Sequence, residues 1–146
     1  MNKELTLTPS AFSNLLSQLL FLEENKKNIL DDFFPRKTKE KIELEELIDE
    51  YVKKVDQLIK NIKITDESEN VFPFVSIGSI ISIKDTETHE TYQHLICNPY
   101  NINTDNSISY LSPMGRALLL KCPGDKVSVN TPSGVYNYVI ESITFN

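Results

Sequence analysis

The chain has 146 residues, a formal net charge of -6 and a sequence pI of about 4.9. That length holds one ordinary domain or a small domain plus an extension. The acidic balance argues against broad, salt-dependent wrapping of nucleic acid, allows a local basic patch, and favours a protein partner with a basic surface. No apolar run is long enough for a membrane span, and the first ten residues lack the apolar segment of a signal peptide, so a cytoplasmic chain is expected. The two cysteines, Cys97 and Cys122, are too few and too far apart for a thiol redox motif or a zinc knuckle. Reduced, partly buried thiols are expected, with a single disulfide as the alternative.

A helix is predicted from Thr8, which can cap it, followed by Pro9, which suits the first helical position; no glycine interrupts the chain before Gly78. Phe12, Leu15, Leu19, Leu22, Ile29 and Phe33 recur at steps of three and four, with Lys26 where another apolar residue is due. They form a seam for a facing helix, widened by Leu16, Leu20 and Leu30. Pro35 breaks this helix within Asp31 to Lys37. A second helix starts at Lys37 or Thr38 and carries Leu44, Ile48, Tyr51, Val55, Leu58 and Ile62 on one face. It runs from acidic to basic along its length, complementing its dipole. Two such helices joined by a short loop fold back as an antiparallel hairpin, a rod of roughly 30 to 35 Å at about 1.5 Å per residue. Pairing of both arms across a homodimer is the alternative to this monomer.

The tip brings Asp31 and Asp32 beside Phe33 and Phe34, with Arg36 and Lys37 past the proline. Paired carboxylates at the end of a rod can offer oxygen ligands to a hard divalent ion or a charged point to a partner. The plainer reading has the phenylalanines closing the hairpin core and the charges solvated. Contact of this tip with a partner is preferred over metal binding or catalysis by it.

Residues 64–73 change composition, with Asp66, Glu67 and Glu69 ahead of an apolar group ending at Pro73, and read as a linker from helix to sheet; Phe72, Phe74 and Val75 can pack at the junction. Ser79 to Lys84 and Glu90 to Cys97 flank a short polar connection suited to a hairpin. His89 and His94 have no third ligand at coherent spacing and read as exposed polar residues. Asn98 to Asn106 is a loop. Ile108 and Tyr110 mark a short strand, Ser112-Pro113 a helix start, and Met114 to Leu120 the helix; Arg116 is either a snorkelling surface residue or a partner contact. Strands follow at Lys126 to Thr131 and Val135 to Ile143, separated by the turn Pro132-Ser133-Gly134. The class is α+β: a helical hairpin, then a bent sheet with one short helix on it.

The segment LSPMGRALLLKCPGDKVSVNTPSGVYNYVIESI, preceded by IGSIISIKDTETHETY, resembles the C-terminal FKBP-like domain of the bacterial Gre transcript-cleavage factors, GreA and GreB. Ile108, Ser109, Ser112, Pro113, Gly115, Ala117, Leu118, Gly124, Asp125, Val127, Val129, Pro132 and Gly134 match the family pattern. LTPSAFSNLLSQL and LIKNIKITD resemble the family's opening helix and its junction with the C-domain. The resemblance implies an N-terminal hairpin (coiled coil) over 1–66, with helices about 9–32 and 38–63, a linker over 67–75, and an FKBP-like domain over 76–146.

The resemblance also implies a partner, bacterial core RNA polymerase, with the C-domain docking at the rim of the secondary channel through Ser112, Pro113, Met114, Gly115 and Arg116. The coiled coil would enter the channel, with indirect contact to transcript RNA. In the family the acidic tip helps hold a magnesium ion for hydrolysis of backtracked RNA, the polymerase supplying most of that site. This chain departs there: the acidic tip loop of the family is absent, and DDFFPRKTKEK stands nearest to it. The hairpin is shorter by a turn or more on each arm, about 5 to 9 Å of reach, whereas a magnesium–oxygen bond is about 2 Å. The expectation is a polymerase-binding elongation regulator without ordinary cleavage activity and without a cofactor of its own. One alternative is cleavage stimulation through Asp31 and Asp32, with magnesium held jointly with polymerase; another is a non-polymerase interaction module like the short-coiled-coil relatives. The chain is not expected to be an enzyme, being at most an accessory to polymerase-intrinsic cleavage, and it lacks the dense aromatic pocket that would support a prolyl isomerase.

Overall fold

The computed structural model describes residues 4–100, 102 and 105–145. What the sequence suggests for residues 1–3, for Asn101, Asn103 and Thr104 of the asparagine-rich loop, and for Asn146 lies outside them. Helix α1 spans Pro9–Phe33: the Thr8 hydroxyl accepts from Ala11 N–H at 3.3 Å, and Pro9 occupies the first turn. Pro35 forbids continuation, so the helix closes at Phe34, whose N–H still donates to Leu30 O at 2.8 Å. Helix α2 spans Lys39–Ile59, opened by the Thr38 hydroxyl accepting from Lys41 N–H at 3.2 Å. Leu15, Leu19, Leu22 and Ile29 of α1 and Leu44, Ile48, Tyr51 and Val55 of α2 are buried, giving the apolar seams. Lys26, the polar interruption of the α1 seam, is paired across the hairpin with Asp49. Of the three residues expected to widen the seam, Leu30 is buried while Leu16 and Leu20 are exposed.

Two differences from the sequence reading have local causes. Helix α2 stops four residues before the end expected at 63, because the chain tightens there, Asn61 and Ile62 donating back to Leu58 and Ile59. Lys63–Ile64 (β2) then pairs in parallel with Thr6–Leu7 (β1), tying the two ends of the hairpin together. In the second half of the segment expected as a linker over 67–75, Phe72, Phe74 and Val75 pack at the junction as the sequence suggests: all three are buried, and Phe72 and Val75 donate to Ile143 O and Lys121 O.

The sheet runs β5-β4-β3-β7-β6, with β3 Ser79–Asp85, β4 Thr91–Cys97, β5 Ser107–Ser109, β6 Lys126–Thr131 and β7 Gly134–Phe145. All neighbours are antiparallel except β4 and β5. A register shift at Ser82/Ile83 against β7 bends the sheet. Helix α3, Pro113–Leu118, lies between β5 and β6 in the chain and packs against β6. Of the residues read as exposed or partly buried, His94 is half-buried and stacked on Tyr92 with centroids 6.3 Å apart. Burial lowers its pKa. Cys97 is buried and Cys122 exposed, and both are free thiols.

The hairpin lies along the sheet domain, and their buried residues form one core. Tyr51 Oη accepts from Ile77 N–H at 2.9 Å, Asn98 donates to Gln18 at 2.9 Å, and Lys54 sits 5.2 Å over the Phe74 ring. The tip of the hairpin is thereby brought against the sheet domain's loops.

Candidate functional site

Two sequence-predicted regions meet in space: the hairpin tip and the start of α3. At the tip the two aspartates diverge. Asp31 accepts from Lys41 Nζ at 2.8 Å, back along α2, while Asp32 accepts from Tyr100 Oη at 2.9 Å, across to the loop after β4. The hydrogen bond from Lys41, with the charges of Lys41 and Lys27, holds the Asp31 carboxyl below its ordinary value against a smaller desolvation effect. The Tyr100 phenol is raised chiefly because its hydrogen bond to the Asp32 carboxylate favours the protonated form, with desolvation and the negative charge of Asp32 adding to the effect.

The phenylalanines beside them have different surroundings. Phe33 is exposed and its ring lies 5.5 Å from that of Tyr100. Phe34 is partly buried against the core, with the Arg116 guanidinium 6.0 Å from its ring centroid. Arg36 and Lys37 are exposed.

Magnesium requires several oxygens at about 2 Å in near-octahedral array. Asp31 and Asp32, directed to Lys41 and Tyr100, do not converge on one such position. Among the described residues no group of three or more His, Cys, Asp or Glu side chains is gathered to hold an ion. The tip as folded does not fit a metal site on its own residues.

At α3, the five residues separate by role. Ser112 caps the helix: its hydroxyl accepts from Gly115 N–H at 3.0 Å and donates to Ser109 O at 2.7 Å. Gly115 is buried, and a Cβ there would stand 2.0 Å from Ser109 O. Met114 is partly buried against the core. Pro113 is exposed, and Arg116 is partly exposed with Nη1 donating to Glu40 Oε1 at 2.7 Å. The arginine therefore has an intramolecular carboxylate partner, which neither sequence reading of it anticipates. Glu40, Lys41 and Tyr100 are the contacts that sequence reasoning missed. The only sequence signal for them is the position of Glu40 and Lys41 in the first turn after the tip.

The model of the family described as "Transcription elongation factor, GreA/GreB, C-term" matches residues 69–145. The chain belongs to the GreA/GreB family. It is similar to the transcription elongation factor GreA of Clostridium kluyveri, 36% identical over 90 residues, which cover 61% of this chain and 57% of that protein. It is likewise similar to GreA of Clostridium acetobutylicum, 36% identical over 93 residues, 63% of this chain and 59% of that one. The chain thus spans less than three fifths of either GreA's length in these matches. A solved structure of a GreA/GreB elongation factor from Nitrosomonas europaea overlays with a TM-score of 0.51 at 18% identity, covering 96% of this chain and 98% of that one, a likeness of fold. In this chain Ser112 and Gly115 have structural duties, Pro113 is exposed, and Met114 and Arg116 are each partly exposed. Among the described residues no helix is long and apolar enough to cross a membrane.

Proposed function

We propose that this chain is a regulator of transcription elongation that binds bacterial core RNA polymerase at its secondary channel and does not stimulate ordinary transcript cleavage. The family match over the sheet domain supports a polymerase partner, with α3 as the docking point and Pro113 and Arg116 as its surface. The observation that carries the absence of cleavage is the divergence of Asp31 and Asp32, each engaged by a different side chain. A cleavage factor must bring carboxylate oxygens together around a metal held with its partner; here Lys41 and Tyr100 hold them apart. The chain would then act by occupying the channel entrance, as an accessory protein rather than an enzyme, cytoplasmic and monomeric, with no cofactor of its own.

Purified protein added to stalled elongation complexes in magnesium buffer tests both halves. Binding to the complexes with transcripts left at full length is the expected result. Magnesium-dependent shortening that disappears in the Asp31→Ala, Asp32→Ala double variant would establish the cleavage alternative, and recovery of a different enzyme without polymerase in a pull-down would favour a non-polymerase interaction module.

A further inference from the structure

Strand β4 is paired along only part of its outer edge. Asp85 N–H donates to Glu90 O, and Leu95 N–H donates away from β3 to Asn106 O. Peptide groups alternate sides along an antiparallel strand, so those of Tyr92 and His94 pair with β3, while those of Thr91 and Gln93 turn outward with Leu95. β5 meets β4 only from Leu95 to Cys97, and no strand among the described residues pairs with Thr91 or Gln93. Both are exposed. An unpaired strand edge is a template for an added extended chain.

The face beside this edge is aromatic. Tyr92, Ile83 and Ile140 stand in one cross-strand row, with Tyr138 beside Val127 and Tyr136 beside Val129 in the next two. Ile83, Ile140, Val127 and Val129 are buried, which puts all three tyrosines on the core face. Tyr92 and Tyr136 are nonetheless 38% and 39% exposed, so the rings form an open shelf at the margin of the core, with His94 stacked on Tyr92. The shelf is also acidic. Tyr92 Oη donates to Glu90, and the carboxylates of Glu90 and Asp85 act on the phenols of Tyr92 and Tyr138 with no lysine or arginine among their charged neighbours.

These features select one kind of occupant. A helix has spent its peptide groups internally, so only an extended chain can use the edge. Its side chain opposite Tyr92 points to the same face, where an arginine can lie on the ring with its guanidinium at Glu90. A glutamate there would be repelled by Glu90 and Asp85. A second copy pairing edge to edge would double these carboxylates, and its own edge from Glu90 to Leu95 carries no lysine or arginine to answer them.

We propose that the open half of β4 is a docking edge for an extended basic segment of a partner protein, which pairs with the peptide groups of Thr91 and Gln93 and lays an arginine on Tyr92 beside Glu90. None of these residues belongs to α3 or to the hairpin tip, so the edge is separate from the polymerase-binding reading and its test needs no polymerase.

The full chain, isotope-labelled, is titrated with capped hexapeptides while the amides of Thr91, Tyr92 and Gln93 are followed by NMR. A peptide alternating valine with arginine is expected to give saturable shifts there. Its fully N-methylated form, which keeps the charge and loses every backbone donor, and a peptide alternating valine with glutamate are expected to give none. Tyr92→Leu, which keeps an apolar side chain and removes the ring, is expected to weaken the arginine peptide about two- to fivefold. Glu90→Gln is expected to weaken it at low salt, with a difference that closes as salt rises. No saturable shift at millimolar peptide, equal shifts with the glutamate or N-methylated peptide, or unchanged binding by both variants overturns the proposal. So does movement of the same amides on diluting the chain alone, which would assign the edge to a second copy.

Discussion

Replacing Gly115 by alanine adds one methyl group where the backbone of β5 already stands. The new Cβ would lie 2.0 Å from Ser109 O and 2.8 Å from both Ser109 C and Tyr110 Cα. A close carbon–oxygen contact is about 3.3 Å, so helix α3 and the β5 end must separate by more than ~1 Å, and neither neighbour is a flexible side chain. Moving them disturbs the Ser112 hydrogen bonds to Gly115 and Ser109, which hold the same two segments together. Overpacking costs about 1–3 kcal/mol where side chains can yield, and a clash of backbone with backbone belongs at the top of that range. About 3 kcal/mol corresponds, for a chain of this size, to a fall in melting temperature of about 6–12 °C. The assay is thermal and urea unfolding followed by circular dichroism, with Gly124→Ala as the comparison. Gly124 has φ of 90° and nothing within 4 Å of where a methyl group would stand, so alanine there meets backbone strain alone, about 1–2 kcal/mol. Gly115→Ala melting within about 2 °C of the parent, or no lower than Gly124→Ala, would refute the reasoning. The outcome bears on function, because weakened polymerase binding by Gly115→Ala would then report folding rather than a lost contact.

Three further outcomes follow from particular contacts. Tyr51→Phe removes the acceptor of the buried Ile77 N–H and is expected to destabilise by about 1–3 kcal/mol in urea unfolding; an unchanged midpoint would mean that this amide finds another acceptor. Ser112→Ala removes the α3 cap and should cost about 1 kcal/mol by the same measurement. Asp31 titrates below the ordinary carboxylate value mainly because of its hydrogen bond from Lys41. A depressed folded-state pKa contributes stability that is present above the unfolded value and lost as pH falls through the folded one. Lys41→Met is therefore expected to move the Asp31 carboxyl upward in an NMR titration and to soften the dependence of stability on pH below about 4; an unmoved Asp31 would show that Lys41 is not its partner.

The sequence is most legible where structure is made locally. Thr8-Pro9, Thr38 and Ser112-Pro113 cap their helices through side chains three residues or fewer from the amides they serve, so their chemistry is visible in a short window. The buried faces of α1 and α2 follow from spacing for the same reason. Lys26 looks like a defect in that spacing because its partner Asp49 lies 23 residues on. The two-residue strands β1 and β2 carry no periodicity, which is why the helical pattern of α2 reads past its end.

At the candidate site the motif residues can be named, but their duties depend on contacts far apart in the chain. Asp32 meets Tyr100 over 68 residues, and Arg116 meets Glu40 over 76. Nothing in either local pattern encodes those pairings; they arise from laying the hairpin along the sheet. Gly115 fits a family pattern, yet only the proximity of Ser109 O gives it a physical reason.

The central claim is that the chain engages polymerase while leaving the transcript intact. The measurement that tests it most directly follows labelled transcript and bound protein together in stalled elongation complexes, at saturating protein and in magnesium. Stable association with full-length transcript, and protection of that transcript from an added cleavage-competent GreA, is the predicted result. Absence of binding, or transcript shortening by this chain alone, would contradict it.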